Sequence, residues 1–296
     1  MPDSWPSLAD ERDLATALFG ADGRQRLQTW LDGELARTTD AAFARSFSDH
    51  IDLPGVVSDD YLHRVIRTAH GNLLGGIRFY GRDIGRPFVE IVAHSFDDPD
   101  RLRDCAAREW ATFAPSALRL TCRPGRLAGP HVQLDKTIHV ARCRDMRAPA
   151  PQVVLAPFAR AEDAISMVTA RYRELSPELA RNITAAAEED LRDWHANGEV
   201  HAVQSGESVV GLLAVAPGRI GWIEGEEINE EVVAVEHSGH GYAAHAQAYW
   251  AAHLTPDGDR FLIGTIDRLN AVSRRTAQGA GRARVLDMVF VTLGGR

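Results

Sequence analysis

Two adjoining groups of residues could do chemistry. "EGEEINEEVVAV" carries Glu224, Glu226, Glu227, Glu230 and Glu231 into a β-branched run, and "HSGHGYAAHAQAYW" follows at once with a Gly-His-Gly turn opening an alanine-rich helix. A carboxylate can take the proton that an amine must lose before it attacks, since a lysine-like ammonium has a pKa of about 10.4. A glycine turn at a helix N-terminus aims converging backbone N–H groups, reinforced by the helix dipole, at an anion such as a phosphate. Side chains alternate faces along a strand, so Glu230 and Glu231 cannot both serve one site. The plainer readings are an acidic edge strand that discourages aggregation and glycines that only make a tight turn.

Other chemistries fit less well. Gly239-x-Gly241-x-x-Ala244, with Asp257 or Asp259 downstream, satisfies a loose dinucleotide fingerprint, but it follows a hairpin and a third strand instead of opening a run of parallel β-α-β units. His237, His240, His245 and His253 crowd the turn and helix without the i, i+4 spacing of a helical zinc pair, and no cysteine lies near them, so no metal site is expected. Cys105, Cys122 and Cys143 are odd in number and lack C-x-x-C spacing, which points to reduced thiols and a cytoplasmic protein. The start has neither the basic nor the apolar region of a signal peptide, and no run reaches the roughly 20 apolar residues of a membrane span.

The elements that must position these residues are readable over the whole chain. The 296 residues suit two domains, and the Pro149/Pro151 stretch places a boundary near residue 150, giving domains 1–150 and 151–296. The second half reads β–α–α–β–β–β–α–β–α–β, with Ser176 as N-cap, Pro177 at the first helical position and Gly198 at a helix end. The first half begins with helices and then echoes that order. There "VEIVAHSFDDPDRLRDCAAREW" takes the place of "VVAVEHSGHGYAAHAQAYW", with Asp97-Asp98-Pro99-Asp100 where the glycines would be. Those acids repel a phosphate and the proline lacks an N–H, so the first half is expected to bind no such anion. The net charge of −8 sits almost wholly in the second half, 13 basic against 20 acidic residues, which disfavours a broad nucleic-acid or anionic-membrane surface.

Element order and two motifs over residues 152–292 resemble the GNAT superfamily of acyl-CoA-dependent N-acyltransferases. The family's pyrophosphate loop, Arg/Gln-x-x-Gly-x-Gly/Ala, is matched by Ser238-Gly239-His240-Gly241-Tyr242-Ala243 except at its first position. Its later motif, Asn-x-x-Ala/Ser with a glycine eleven residues after the Asn, is matched by Asn270, Ser273 and Gly281. The resemblance implies an α/β fold with a mixed, mostly antiparallel central sheet flanked by helices, here as two tandem lobes of which the first is degenerate. It further implies acetyl-CoA or another acyl-CoA as co-substrate, held by residues 238–243 and Asn270. The backbone of the segment from Val233 to Val235 would pair with the pantetheine arm, and Glu230 or Glu231 would act as base toward the primary amine of a small molecule.

Two departures matter. Ser238 replaces the usual Arg or Gln, and Ala277 stands where many members carry a tyrosine that protonates the leaving thiolate, leaving Ser273, a histidine or water as candidate acid. The missing tyrosine keeps two alternatives open. One is a GNAT-fold transferase using aminoacyl-tRNA, which the arginines of the first half (Arg64, Arg78, Arg119, Arg123 and Arg126 among them) would serve if they formed a patch. The other is a non-catalytic acyl-CoA sensor.

Overall fold

The computed structural model describes residues 4–294. The chain forms two compact units, the first running to Asp135 and taking in the residues from Leu286 on, the second spanning Lys136–Val285.

The first unit opens with helices α1 (Ala9–Phe19), α2 (Gly23–Ala36) and α3 (Ala41–Ser48). Strands β1 (Arg64–Thr68), β2 (Gly71–Phe79) and β3 (Pro87–His94) follow, then helix α4 (Pro99–Glu109) and strand β4 (Ala117–Cys122). β1–β2 and β2–β3 pair antiparallel, and β3–β4 pairs parallel across α4. Alternation along β2 sends Leu73 and Ile77 to a core with Val89, Ile91, Trp110 and Leu118, and Leu74 to a second cluster with Trp5, Leu8 and Leu31.

Strand β5 (Val132–Arg142) crosses from the first unit into the second, which continues with β6 (Val153–Pro157), α5 (Ala161–Arg173), α6 (Pro177–Ala180) and α7 (Glu188–Ala196). Next come β7 (Val200–Ser205), β8 (Ser208–Ile220), β9 (Ile223–Val233), α8 (Tyr242–His253), β10 (Phe261–Asp267) and α9 (Ala271–Ala280). β11 (Ala283–Thr292) returns to the first unit and pairs antiparallel with β4, from Asp287↔Cys122 to Thr292↔Ala117. β6 through β9 form an antiparallel meander, β9–β10 is parallel, and β10–β5 is antiparallel. Neighbouring residues of β8 serve opposite faces. Leu212 and Ala214 pack with Val168, Leu191 and Val232, whereas Leu213 and Val215 pack with Ala246, Trp250 and Leu262.

Local signals are realised as sequence chemistry demands. Ser176 accepts the Leu179 N–H ahead of Pro177, and Gly198 (φ +72°) follows α7. The helical region from Ser176 to Gly198 is broken into α6, which is capped by Ser176 but buries no side chain, and α7, which buries Leu191. Pro149 and Pro151 lie in an irregular connection inside the second compact unit, and the units divide at Asp135/Lys136. Prolines report local irregularity, whereas the destination of β5 and β11 is set by non-local pairing that local composition does not encode. Among the described residues, no helix is long and apolar enough to cross a membrane.

Candidate active site

β9 and β10 lie side by side only briefly. Leu262 pairs with Glu226 and Ile263 with Glu227, and from Ile228 to Val233 β9 runs on without a β10 partner. A register shift between Ala214 and Val215 leaves Asn229 as the extra residue of a bulge on β9, which turns the strand where the divergence begins. Ala234 donates to the Val210 carbonyl, so strand alternation points the Glu231 and Val233 N–H groups away from β8. The carboxylate of Glu230 takes the first of these at 3.1 Å.

At the end of β9 a 3-10 turn, Val235–His237, leads into the glycine loop. The expected extended segment Val233–Val235 is thus corrected: Val233 ends the strand, while Val235 begins the turn with its side chain exposed. Gly239 (φ +85°) and Gly241 (φ +76°) adopt the left-handed conformation, and Gly241 forms the N-cap of α8 without a side-chain cap. A Cβ on Gly239 would meet nothing within 4 Å, and one on Gly241 only the His245 ring at 3.8 Å. Among the described residues, the N–H groups of Gly239 through Ala244 donate to no group of the chain; the first return bond is His245 N–H to the Gly241 carbonyl. The loop is exposed, so this is a set of free donors at a helix N-terminus, the arrangement an anionic group requires. Around it, Ser238 Oγ turns back to the Ala234 carbonyl (3.4 Å), and the His240 and Tyr242 rings lie 5.6 Å apart.

The two glutamates behave differently. Glu230 is buried on the face covered by α5 and the α6–α7 connection, where Oε1 accepts from Tyr172 Oη (3.2 Å) and Oε2 from the Ala186 N–H (3.1 Å). Burial pushes its carboxyl above the ordinary carboxylate range, against the pull of its hydrogen bonds. Burial likewise pushes Tyr172 up, with the Glu230 charge adding to it. Glu231 faces α8 and accepts two bonds from Gln247 Nε2, at 2.8 and 3.0 Å. Gln247 Oε1 in turn accepts from Arg282 Nε (3.0 Å), and burial lowers that guanidinium to about 10 against the raising effect of Glu231. Arg282 Nη1 fills the room that a side chain on Gly264 would need, 2.8 Å from the position of its Cβ. An acidic edge is ruled out for this run: β9 is flanked by β8 and β10, Glu226 pairs with Arg260 (2.7 Å), and Glu230 is interior.

Glu231 therefore holds α8 to the sheet through Gln247 and balances the charge of Arg282. Replacing Glu231 with Gln leaves that guanidinium without its counter-charge and is expected to cost ~1–3 kcal/mol of stability, read as a fall in Tm or denaturant midpoint.

Asn270 caps α9, its Oδ1 accepting the Ser273 N–H at 3.0 Å. Ala277 is fully buried, so the place of the family's tyrosine is closed core here. The structure brings Val233 and residues 238–243 to one end of the β9–β10 divergence and puts Glu230 and Glu231 on its β9 wall, on opposite faces. Tyr172, Gln247 and Arg282 escape the sequence reading. Gln247 alone leaves a trace there, as the one amide in an otherwise alanine and aromatic helix. Four of the first-half arginines are paired with carboxylates: Arg64 with Asp60, Arg119 with Glu90 and Asp135, Arg123 with Asp10 and Asp13, and Arg126 with Asp10.

No family model and no curated protein matches the sequence. Among solved structures, an acetyltransferase from the GNAT family from Colwellia psychrerythraea superposes with a TM-score of 0.52 at 10% identity, over 88% of this chain and 97% of that one. A GCN5-related N-acetyltransferase from Kribbella flavida gives 0.44 at 13% identity over 79% and 90%, and a tandem GNAT protein from the clavulanic acid biosynthesis pathway gives 0.40 at 14% over 88% and 97%. The chain has the GNAT fold in tandem: in each unit a β-α-β passage with a short parallel pairing follows an antiparallel strand pair. One further β-α-β passage does not make a dinucleotide-binding domain, and the fingerprint at Gly239 is set aside.

Proposed function

We propose that the second unit transfers an acyl group, with acetyl the leading candidate, from acyl-CoA to the primary amine of a small molecule by direct attack, without a covalent enzyme species. The observation that carries this reading is the divergence of β9 from β10, which ends on the free amides of Gly239–Ala243 and has a buried carboxylate, Glu230, on its wall. The CoA thioester supplies the activated acyl group. The amides of residues 239–243, with Ser238, His240 and Tyr242 around them, hold the diphosphate. The backbone of Val233 meets the pantetheine arm, and Asn270 sets the start of α9 beside it. Of the outward β9 N–H groups named above, that of Glu231 is held by Glu230, which leaves that of Val233 to polarise the thioester carbonyl as an oxyanion hole does.

Glu230 takes the ammonium proton. A carboxyl pushed up by burial holds a proton more strongly than an exposed one, which brings it nearer the operating pH of a base. Glu231, tied to Gln247 on the other face, is assigned to positioning. Ser273, in the first turn of α9, is the side-chain candidate for protonating the thiolate. The arginines paired with carboxylates weigh against an aminoacyl-tRNA donor, and the three buried free thiols suit a cytoplasmic enzyme.

The test is calorimetry of acetyl-CoA with the full chain, joined to an assay of CoA thiol release against a panel of small primary amines. Micromolar binding (about −7 to −8 kcal/mol) with amine-dependent thiol release supports the enzyme. Binding without release favours the sensor, and no binding at millimolar acetyl-CoA lifts the tRNA alternative. Tyr172 gives a finer check. Its hydroxyl donates to the Glu230 carboxylate and so favours the ionised form. Tyr172→Phe is expected to raise the pKa of Glu230, so the acid limb of kcat/KM moves to higher pH while the plateau falls only about 3–10-fold.

A further inference from the structure

The first unit contains a cleft of about 490 Å³, within the size range of small-molecule sites. It opens where β3 and β4 part. Their pairing stops at Glu90↔Arg119, and the cleft lies beyond it between Ile91–His94 and Leu120–Cys122. α1 and the turn Pro6–Leu8 line it as well, and Leu118, Leu120 and Val291 give it an apolar wall.

One group in that wall is out of place. Glu11 of α1 is 4% exposed and lines the cleft, where the backbone N–H of Glu11 itself donates to its carboxyl and the charge of neighbouring Arg12 offsets it only in part. Every other neighbouring charge that could answer it is neutral, acidic or engaged. Asp10 is held by Arg126 (2.7 Å) and Arg123 (3.3 Å), and Arg103 is spent on Asp100 and the Thr292 carbonyl. Burial keeps His94 neutral and holds the Cys122 thiol up at about 11. Asp97, exposed at the rim, adds a second acid. The start of α4 offers an anion little, since Asp98 caps it and Pro99 lacks an N–H, and the two arginines that line the cleft, Arg103 and Arg126, are paired with Asp100 and Asp10.

We infer that this cleft binds a small apolar amine, its ammonium on Glu11 and its hydrocarbon against Leu118, Leu120 and Val291. The inference goes beyond the acyl-transfer reading and stands independently of it. Burial raises the Glu11 carboxyl to about 8, with Asp10 adding to the rise against the pull of its own backbone N–H and Arg12, which favours the protonated form at pH 7 when no cation lies beside it. Seating an ammonium beside the carboxylate therefore displaces the carboxyl proton to solvent while the ligand keeps its charge.

The experiment is calorimetry of n-hexylamine against the full chain without acyl-CoA at pH 7, in two buffers of different ionisation heat, with hexan-1-ol and hexanoate as comparators. The amine is expected to bind at least about tenfold tighter than either comparator and to release close to one proton. Glu11→Gln, which resembles the protonated acid and so is expected to fold, should weaken the amine by at least about tenfold. Leu120→Trp, which crowds the apolar wall, should weaken it without touching the acid. Glu230→Gln should leave it unchanged, separating this cleft from the acceptor site. Equal binding of hexan-1-ol, an unaffected Glu11→Gln variant, absence of proton release, or no binding at millimolar amine each overturns the inference.

Discussion

Glu230→Gln is expected to lower kcat/KM for the proposed acyl transfer to an amine by about 10²–10⁴, the scale of general-base catalysis, and to leave acetyl-CoA affinity almost unchanged. The carboxylate lies among Tyr172, the Ala186 amide and the Glu231 amide, and not in the glycine loop proposed to meet the diphosphate. Gln keeps the shape and an acceptor oxygen, so the Tyr172 hydroxyl retains its partner. With that oxygen also keeping the Glu231 N–H, the NH₂ group faces the Ala186 N–H, which costs stability as well as basicity. Circular dichroism and acetyl-CoA binding must therefore be measured beside the rate. The pH profile separates the two effects. A base works only when deprotonated, so the native rate falls as pH drops through the Glu230 pKa, and that limb disappears in Glu230→Gln. Raising pH should partly rescue the variant, because more of the amine is then already neutral. Full activity in a folded Glu230→Gln protein removes Glu230 from the mechanism.

The glutamate pair shows what the sequence could carry. Strand alternation is local, so opposite faces for Glu230 and Glu231 were legible from period two alone. Which face is which was not. It depends on α5 and the α6–α7 connection covering one side and α8 the other, and on a bulge at Asn229 that resets the phase within β9. The glycine loop was legible because left-handed backbone at Gly239 and Gly241 demands a particular residue type. The Glu231–Gln247–Arg282 chain was not, since it joins β9, α8 and the start of β11 by side chains with no shared spacing. The same reason hid the strand destinations. β5 and β11 read as ordinary strands in their own halves, and only pairing across more than a hundred residues shows that each works in the other unit.

Gly241→Val is expected to weaken acetyl-CoA binding by at least about a hundredfold and to reduce kcat/KM with it, the reverse of the Glu230→Gln pattern. The cause is backbone, not crowding. A Cβ at Gly241 would meet only the His245 ring at 3.8 Å, an ordinary contact, but φ +76° is strained for a β-branched residue. The left-handed conformation costs an L-residue about 1–2 kcal/mol, and the exposed loop has few contacts to enforce it, so it relaxes to negative φ. That relaxation rotates the peptide planes on either side and scatters the amides of Gly239–Ala243, whose convergence is what an anion uses. Gly241→Ala, unbranched, should fall between the two. Stability should change little because Gly241 itself contributes to neither the cluster around Trp250 nor the one around Leu212, so unaltered thermal unfolding with lost binding is the diagnostic pair. The comparison with Gly239→Val tests the geometry further. Gly239 has open space around it and a φ of +85°, so the same backbone argument requires a loss of the same order there. Native affinity in both valine variants would place the diphosphate elsewhere on the molecule.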